Sequence, residues 1–496
     1  MPNDKYLSRR RFLETSALSA ASLMMPLFNA PKTFAASSHA PELTDWSPDQ
    51  RTVLYQYAKD TWPFFLVSRD PTTALPMDNI GFNGAPAQGT YTSPTDIGVH
   101  LWSLIAGADL HLVSRLHAVR LARQTLATVR ELDKWQGFLY GWHDTRTGSI
   151  LTAPGGSPIS AQSTDGQFIS TVDNGWYASS LVIIRQAFSE LAAIATELLN
   201  AMNFGVFYNN ANPQSDITAG QMFGGYVVGQ GPVSWTYGLL NTDPRIAAYL
   251  GIGTKTMPGA VWWRTWRTLP SAWTWQGQIP GGNSATYQDP LSHQLFTVFE
   301  GHYRYQGIRY VPSWGGSMFE GLMASLIVPE ARWGTRSFGA NNVRYATAQM
   351  LYCTQGLGYP VWGLSPSSTP DNTGNYQAYG ALPLASGSQC CAYATDAITP
   401  YAAFLALTVL PGASFNNIAA LKRLYPAIYG PYGFYDAVNP TTGSLANRYL
   451  TLDQAMILAS LDNALNPHGL SQWFAQDAVG QTIKPYLSTE PFSVFG

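Results

Sequence analysis

Charge is scarce in this chain. Its 496 residues hold 28 Lys and Arg against 30 Asp and Glu, 12% in all, for a formal net charge of −2. Without a basic block it cannot read a phosphate backbone, so a nucleic-acid binder is excluded. Cysteine is scarcer still, with only Cys353, Cys390 and Cys391. No HExxH or paired CxxC pattern occurs and the eight histidines lack ligand spacing, so neither a metal nor another cofactor is expected. Adjacent cysteines rarely bridge each other. That leaves two readings open: a disulfide from Cys353 to Cys390 or Cys391, or buried thiols. No apolar run reaches the roughly 20 residues that a membrane-crossing helix needs.

Apolar and aromatic residues are plentiful, at 46% hydrophobic and 13% aromatic with 16 Trp. Such a chain buries a large core and is not disordered. Many rings with few charges suit a neutral, hydroxyl-rich ligand, because sugar C–H faces stack on aromatics without counter-charge.

Ser8-Arg9-Arg10-Arg11-Phe12-Leu13 places paired arginines before a modest apolar run from Ala17 to Phe28. This pattern reads as a twin-arginine export signal over residues 1–36, cleaved after Ala35 or Ala36. It implies the twin-arginine machinery as a partner and a periplasmic or secreted product.

Helical periodicity recurs from Gln50–Leu66 through Pro94–Leu112, Ser114–Leu132 and a long stretch, Trp176–Met202, to Leu452–Leu465. No linker divides the chain and no glycine fingerprint follows a strand. Residues 37–496 therefore read as one all-α domain. Paired helices in this number can close into a double ring; a superhelical array is the alternative, but no fixed repeat supports it. The Gly- and aromatic-rich loops Pro270–Gln288 and Gly356–Gly387 are long enough to carry function.

Glycoside cleavage needs one carboxyl held protonated and one ionised. Asp96, Asp144, Asp173, Asp243, Glu300, Glu320, Asp436 and Asp453 stand in aromatic or glycine-rich contexts. Several have a plainer explanation. Ser93 with Asp96 and Ser317 with Glu320 have capping-box spacing, Ser170 with Asp173 resembles it, and Asp243 before Pro244 is a natural N-cap. The two roles coincide if helix N-termini point at a cleft. There the helix dipole favours ionised carboxylates, which counts against Asp243 as a proton donor. Asp144 and Asp436 fit capping less well.

Thr92-Ser93-Pro94-Thr95-Asp96-Ile97-Gly98, Trp142-His143-Asp144-Thr145-Arg146 and Ser170-Thr171-Val172-Asp173-Asn174-Gly175 begin an ordered series of motifs. Leu239-Leu240-Asn241-Thr242-Asp243-Pro244-Arg245, Ser313-Trp314-Gly315-Gly316-Ser317-Met318-Phe319-Glu320 and Tyr432-Gly433-Phe434-Tyr435-Asp436-Ala437 continue it. From Thr92 to Asn463 the chain resembles the glucoamylase-like region of bacterial cyclic β-1,2-glucan synthases and the related endo-β-1,2-glucanases. The resemblance implies an (α/α)6 toroid and action on β-1,2-glucan, with Asp243 and Asp436 at the catalytic positions. Retaining synthases carry a second glutamate where Pro366 stands here, so the resemblance favours an inverting hydrolase, with Asp243 as acid and Asp436 as base. Asp96, Asp144, Asp173, His293, Glu320 and Asp453 would bind sugar or orient the catalytic pair, and Trp314, Trp362, Tyr379 and Tyr435 would be sugar platforms. An inverting pair should stand about 6.5–9.5 Å apart across an open trough. The rivals are a non-catalytic glycan-binding or assembly protein and a polysaccharide lyase on the same scaffold.

Overall fold

In the computed structural model, residues 45–81, 88–160, 164–467 and 469–495 are described. The twin-arginine motif and both cleavage positions lie outside them.

Helix burial divides into two kinds. In α1 (Pro48–Thr61), α3 (Arg115–Glu131) and α5 (Ala192–Asn200) one face is buried and the other solvated, as amphipathic helices on a surface should be. By contrast α2 (Pro94–Asp109), α4 (Thr171–Ala187) and α6 (Arg245–Gly253) are buried almost all round. The same holds for α7 (Met318–Leu322), α9 (Pro400–Leu405) and α11 (Thr451–Leu465). Two further one-faced helices, α8 (Phe338–Leu351) and α10 (Pro411–Leu424), fall between these, and α12 (Leu470–Gln476) and α13 (Ala478–Thr489) follow.

The buried helices pack in succession: α2 on α4, α4 on α6, α7 on α9, α9 on α11, and α11 back on α2. Each is backed by a more exposed partner, α3, α5, α13, α8, α10 and α1 in the order of the buried set. Glycines allow the close approaches. A Cβ on Gly98 of α2 would lie 2.8 Å from the Trp176 carbonyl oxygen, and one on Gly175 of α4 would lie 2.8 Å from the Ala247 Cβ. Between α6 and α7 the contact is polar. Arg245 donates to Glu330 at 2.7 and 3.0 Å and to the Glu320 and Gly321 carbonyls, each at 2.9 Å.

Three expectations need correction. Trp176–Met202 is two helices, not one, since α4 ends at Ala187 and a 3-10 turn, Ser189–Leu191, separates it from α5. The domain is not purely helical. β1 (Gly281–Gln288), β2 (Leu295–Tyr305) and β3 (Ile308–Tyr310) form an antiparallel sheet in β1-β2-β3 order, pairing Gly281 with His302 and Gln288 with Leu295. Alternating burial along β2 accounts for a strand that no helical periodicity would reveal. Finally, Cys390 and Cys391 are bonded to each other, and Cys353 is a free thiol in the core. Among the described residues no helix is long and apolar enough to cross a membrane.

Candidate active site

Buried helices begin at a common cleft of about 460 Å³. Ser93 accepts from the Asp96 amide at the start of α2, Ser170 from the Asp173 amide at α4, and Ser317 from the Glu320 amide at α7. Ser93 and Ser317 complete capping boxes, so the spacing read from the sequence forms as expected. Asp173 and Glu320 line the cleft beside Asp243.

Asp243 departs from the expected cap. Helix α6 begins after Pro244 with no side-chain capping bond, which leaves the Asp243 carboxyl to the cleft. Burial and then the neighbouring Glu320 charge push that carboxyl up to about 8. The dipole argument against a protonated Asp243 therefore fails, because desolvation and a like charge outweigh it. Glu320 is also raised by burial, against donors from Ser317, Gly315 and Ser313. Ser317 Oγ donates to it at 2.7 Å, the Ser317 and Gly315 amides at 3.0 Å, and Ser313 Oγ at 3.0 Å. Those donors favour the ionised form of Glu320 and so oppose the effect of its burial. Asp173 accepts from the Thr95 hydroxyl, also at the cleft wall.

Asp436 does not line the cleft. It is 1% exposed, and the Ser368 amide donates to its Oδ2 at 2.7 Å. Ser367–Ser368 pairs with Tyr376–Gln377 in a small hairpin; Pro366 and Tyr376 line the cleft, whereas Ser367, Ser368 and Asp436 do not. Asp453 hydrogen-bonds Asp436, and burial raises the Asp436 carboxyl despite that bond. The open trough expected between Asp243 and Asp436 is thus closed on the Asp436 side.

The other expected binders separate. Asp96 is fully buried as the α2 cap, accepting from the Ser93 amide and hydroxyl at 3.0 and 2.7 Å. Asp144 closes a turn through the Arg146 and Thr147 amides at 2.9 and 3.0 Å and pairs with the Arg146 guanidinium. His293 sits at a positive φ of 61° on the exposed β1–β2 turn, away from the cleft. Trp314 lines the cleft as expected. Trp362 does not, being clamped in the core by Asn417 at both its amide and its carbonyl. Tyr379 is 1% exposed, and Tyr435 packs on Tyr449 with ring centroids 4.6 Å apart. These three rings are packing residues.

Trp235, Trp266, Trp273 and Trp275 also line the cleft, rings that motif reading missed. Trp266 meets Trp273 edge-on at 5.3 Å, Trp273 stacks on Trp275 at 5.5 Å, and Trp275 meets Trp314 at 6.3 Å. Two of them, Trp273 and Trp275, lie in the expected Pro270–Gln288 loop, of which only the part before Gly281 is loop because Gly281–Gln288 is β1; its composition was the available signal. Among the described residues no cluster of three or more His, Cys, Asp or Glu is placed to hold a metal ion.

Residues 282–477 match the Glycoamylase family model, described as "Putative glucoamylase". The matched segment carries Trp314, Glu320 and Asp436, while Asp173 and Asp243 precede it. The chain is also 23% identical over 534 residues to the cyclic beta-(1,2)-glucan synthase NdvB of Rhizobium meliloti, an alignment covering 85% of this chain. It spans only 18% of the length of that curated relative. The fold is shared with an endo-beta-1,2-glucanase from Chitinophaga pinensis, solved with sophorotriose and glucose, at TM-score 0.66 and 16% identity. That match covers 89% of this chain and 99% of the other. A "putative glucoamylase" from Bacteroides fragilis matches at TM-score 0.66 and 18% identity, over 90% and 98% of the two chains.

Proposed function

We propose that this chain is an exported glycoside hydrolase that cleaves β-1,2-glucan by inversion. Its export signal spans residues 1–36, and residues 37–496 form one (α/α)6 toroid with the cleft at one end. Six buried helices, each with an outer partner, support the ring. The names of the synthase and glucanase relatives support the linkage. Asp243 carries the reading: a cleft carboxyl that caps nothing and keeps its proton to about pH 8 is equipped to protonate a leaving glycosidic oxygen.

Asp436 is the proposed base, as the resemblance implies, with Pro366 standing where a retaining enzyme keeps its second carboxyl. For Asp436 to reach a bound sugar, the Ser367–Ser368 and Tyr376–Gln377 hairpin would have to shift. A second reading assigns the base to Asp173, because it already lines the cleft.

Incubation of the purified protein with a panel of defined glucans, with product anomers followed by NMR, tests the proposal. β-1,2-Glucan should be cut, and the α-anomer should appear first. Initial β-anomer would overturn inversion. Products absorbing in the ultraviolet from a uronic-acid polysaccharide added to the panel would identify a lyase, and binding without cleavage a glycan-binding protein.

A further inference from the structure

The Cys390–Cys391 bond lies in the segment that joins three parts of the aromatic wall. The Ser386 amide donates to the Ser313 carbonyl and the Gly387 amide to the Trp314 carbonyl, both at 2.9 Å. On the other side the Gly277 amide, two residues beyond Trp275, donates to the Ser386 carbonyl at 2.9 Å. Past the disulfide, Tyr393 enters the cleft wall against Gly315, where a Cβ would lie 1.8 Å from its ring. A Cβ on Gly387 would lie 3.0 Å from the Trp314 indole. The Cys390 and Cys391 amides both donate to the Gly387 carbonyl, at 3.1 and 2.8 Å, so the turn is closed at its base as well.

A bond between neighbouring residues closes a small ring around one peptide unit and restricts rotation there. It restrains almost none of the unfolded chain, so its effect on global stability is slight and its consequence is local. Both cysteines are partly exposed and open to a thiol reagent, whereas Cys353 is sealed in the core.

We propose that the Cys390–Cys391 disulfide positions Trp275, Trp314 and Tyr393, and so sets how tightly the cleft holds a saccharide. The saccharide half of this statement rests on the function proposed above. Reduction would add two electrons and two protons across the S–S bond to give two thiols, while a dithiol reductant is oxidised to its own disulfide. The freed turn then loosens its grip on all three rings.

The test compares the oxidised protein, the protein reduced with dithiothreitol, and the Cys390→Ser/Cys391→Ser double variant, with Cys353→Ala as control. Mass spectrometry verifies the gain of two hydrogens. With β-1,2-glucan as probe, KM should rise about five-fold on reduction and in the double variant, with kcat within about two-fold, as expected for a lost ring contact rather than lost chemistry. Cys353→Ala should match the unmodified protein. Tryptophan fluorescence and hydrogen exchange at residues 385–394 should change on reduction even without substrate. If the double variant fails to fold, reduction of the native chain still decides. Unchanged KM, fluorescence and exchange after verified reduction would overturn the proposal. If no glucan is cleaved, the functional reading falls, and fluorescence and exchange alone decide whether the disulfide positions the rings.

Discussion

The Asp243 carboxyl shares a cleft wall with Glu320, and after burial the Glu320 charge is the largest cause that pushes the Asp243 carboxyl up, ahead of Asp173. Two carboxyls in one low-dielectric site do not both ionise readily, and donors favour the charged form. Here they meet Glu320.

Glu320→Gln removes the charge and retains an N3 side chain able to complete the capping box. The Asp243 proton should then leave at lower pH. The alkaline limb of kcat/KM, set near pH 8 in the native protein, should move toward acid. An unmoved limb would dissociate Glu320 from the proton donor.

Asp243→Asn should abolish hydrolysis by about 10²–10⁴-fold. It should also stabilise the fold, for the following reason. In the unfolded chain this acid ionises from about pH 4, while in the folded chain it holds its proton to about 8. Its favourable contribution is complete below the lower value and declines through that window. The variant should therefore melt a few degrees above the native protein at pH 8 and level with it at pH 4, as read by calorimetry.

Asp436→Asn and Asp173→Asn separate the two candidate bases. If Asp436 is the base, its variant should lose about 10³-fold in kcat with little change in KM, while Asp173→Asn mainly raises KM. The reverse pattern would transfer the role to the carboxyl already lining the cleft.

Arg245 is almost fully buried against Glu330, with 1% and 0% of their side chains exposed. Arg245→Met strands the Glu330 carboxylate and frees two α7 carbonyls. It should cost about 3–5 kcal/mol in chemical denaturation.

Much of this arrangement was legible in local pattern. Ser93 with Asp96, Ser170 with Asp173 and Ser317 with Glu320 marked three helix starts, because capping is decided within four residues. The motifs around Asp243 and Trp314 marked two cleft walls. What failed was whatever depended on the third dimension. Trp362, Tyr379 and Tyr435 sit in motifs of the same texture as Trp314, yet only packing decides which ring faces solvent. The hairpin beside Asp436 is made of four residues paired across a loop, too short for any periodicity. The bond between Cys390 and Cys391 ran against the general rarity of such bridges, and nothing nearby in the chain announced it.

The run of indoles from Trp266 to Trp314 has a mechanical meaning. Flat rings hold a sugar by area and carry few directional bonds that would favour one position along a polymer over the next. Under the proposed function, a glucan resting there would be gripped without being indexed to one position along its length.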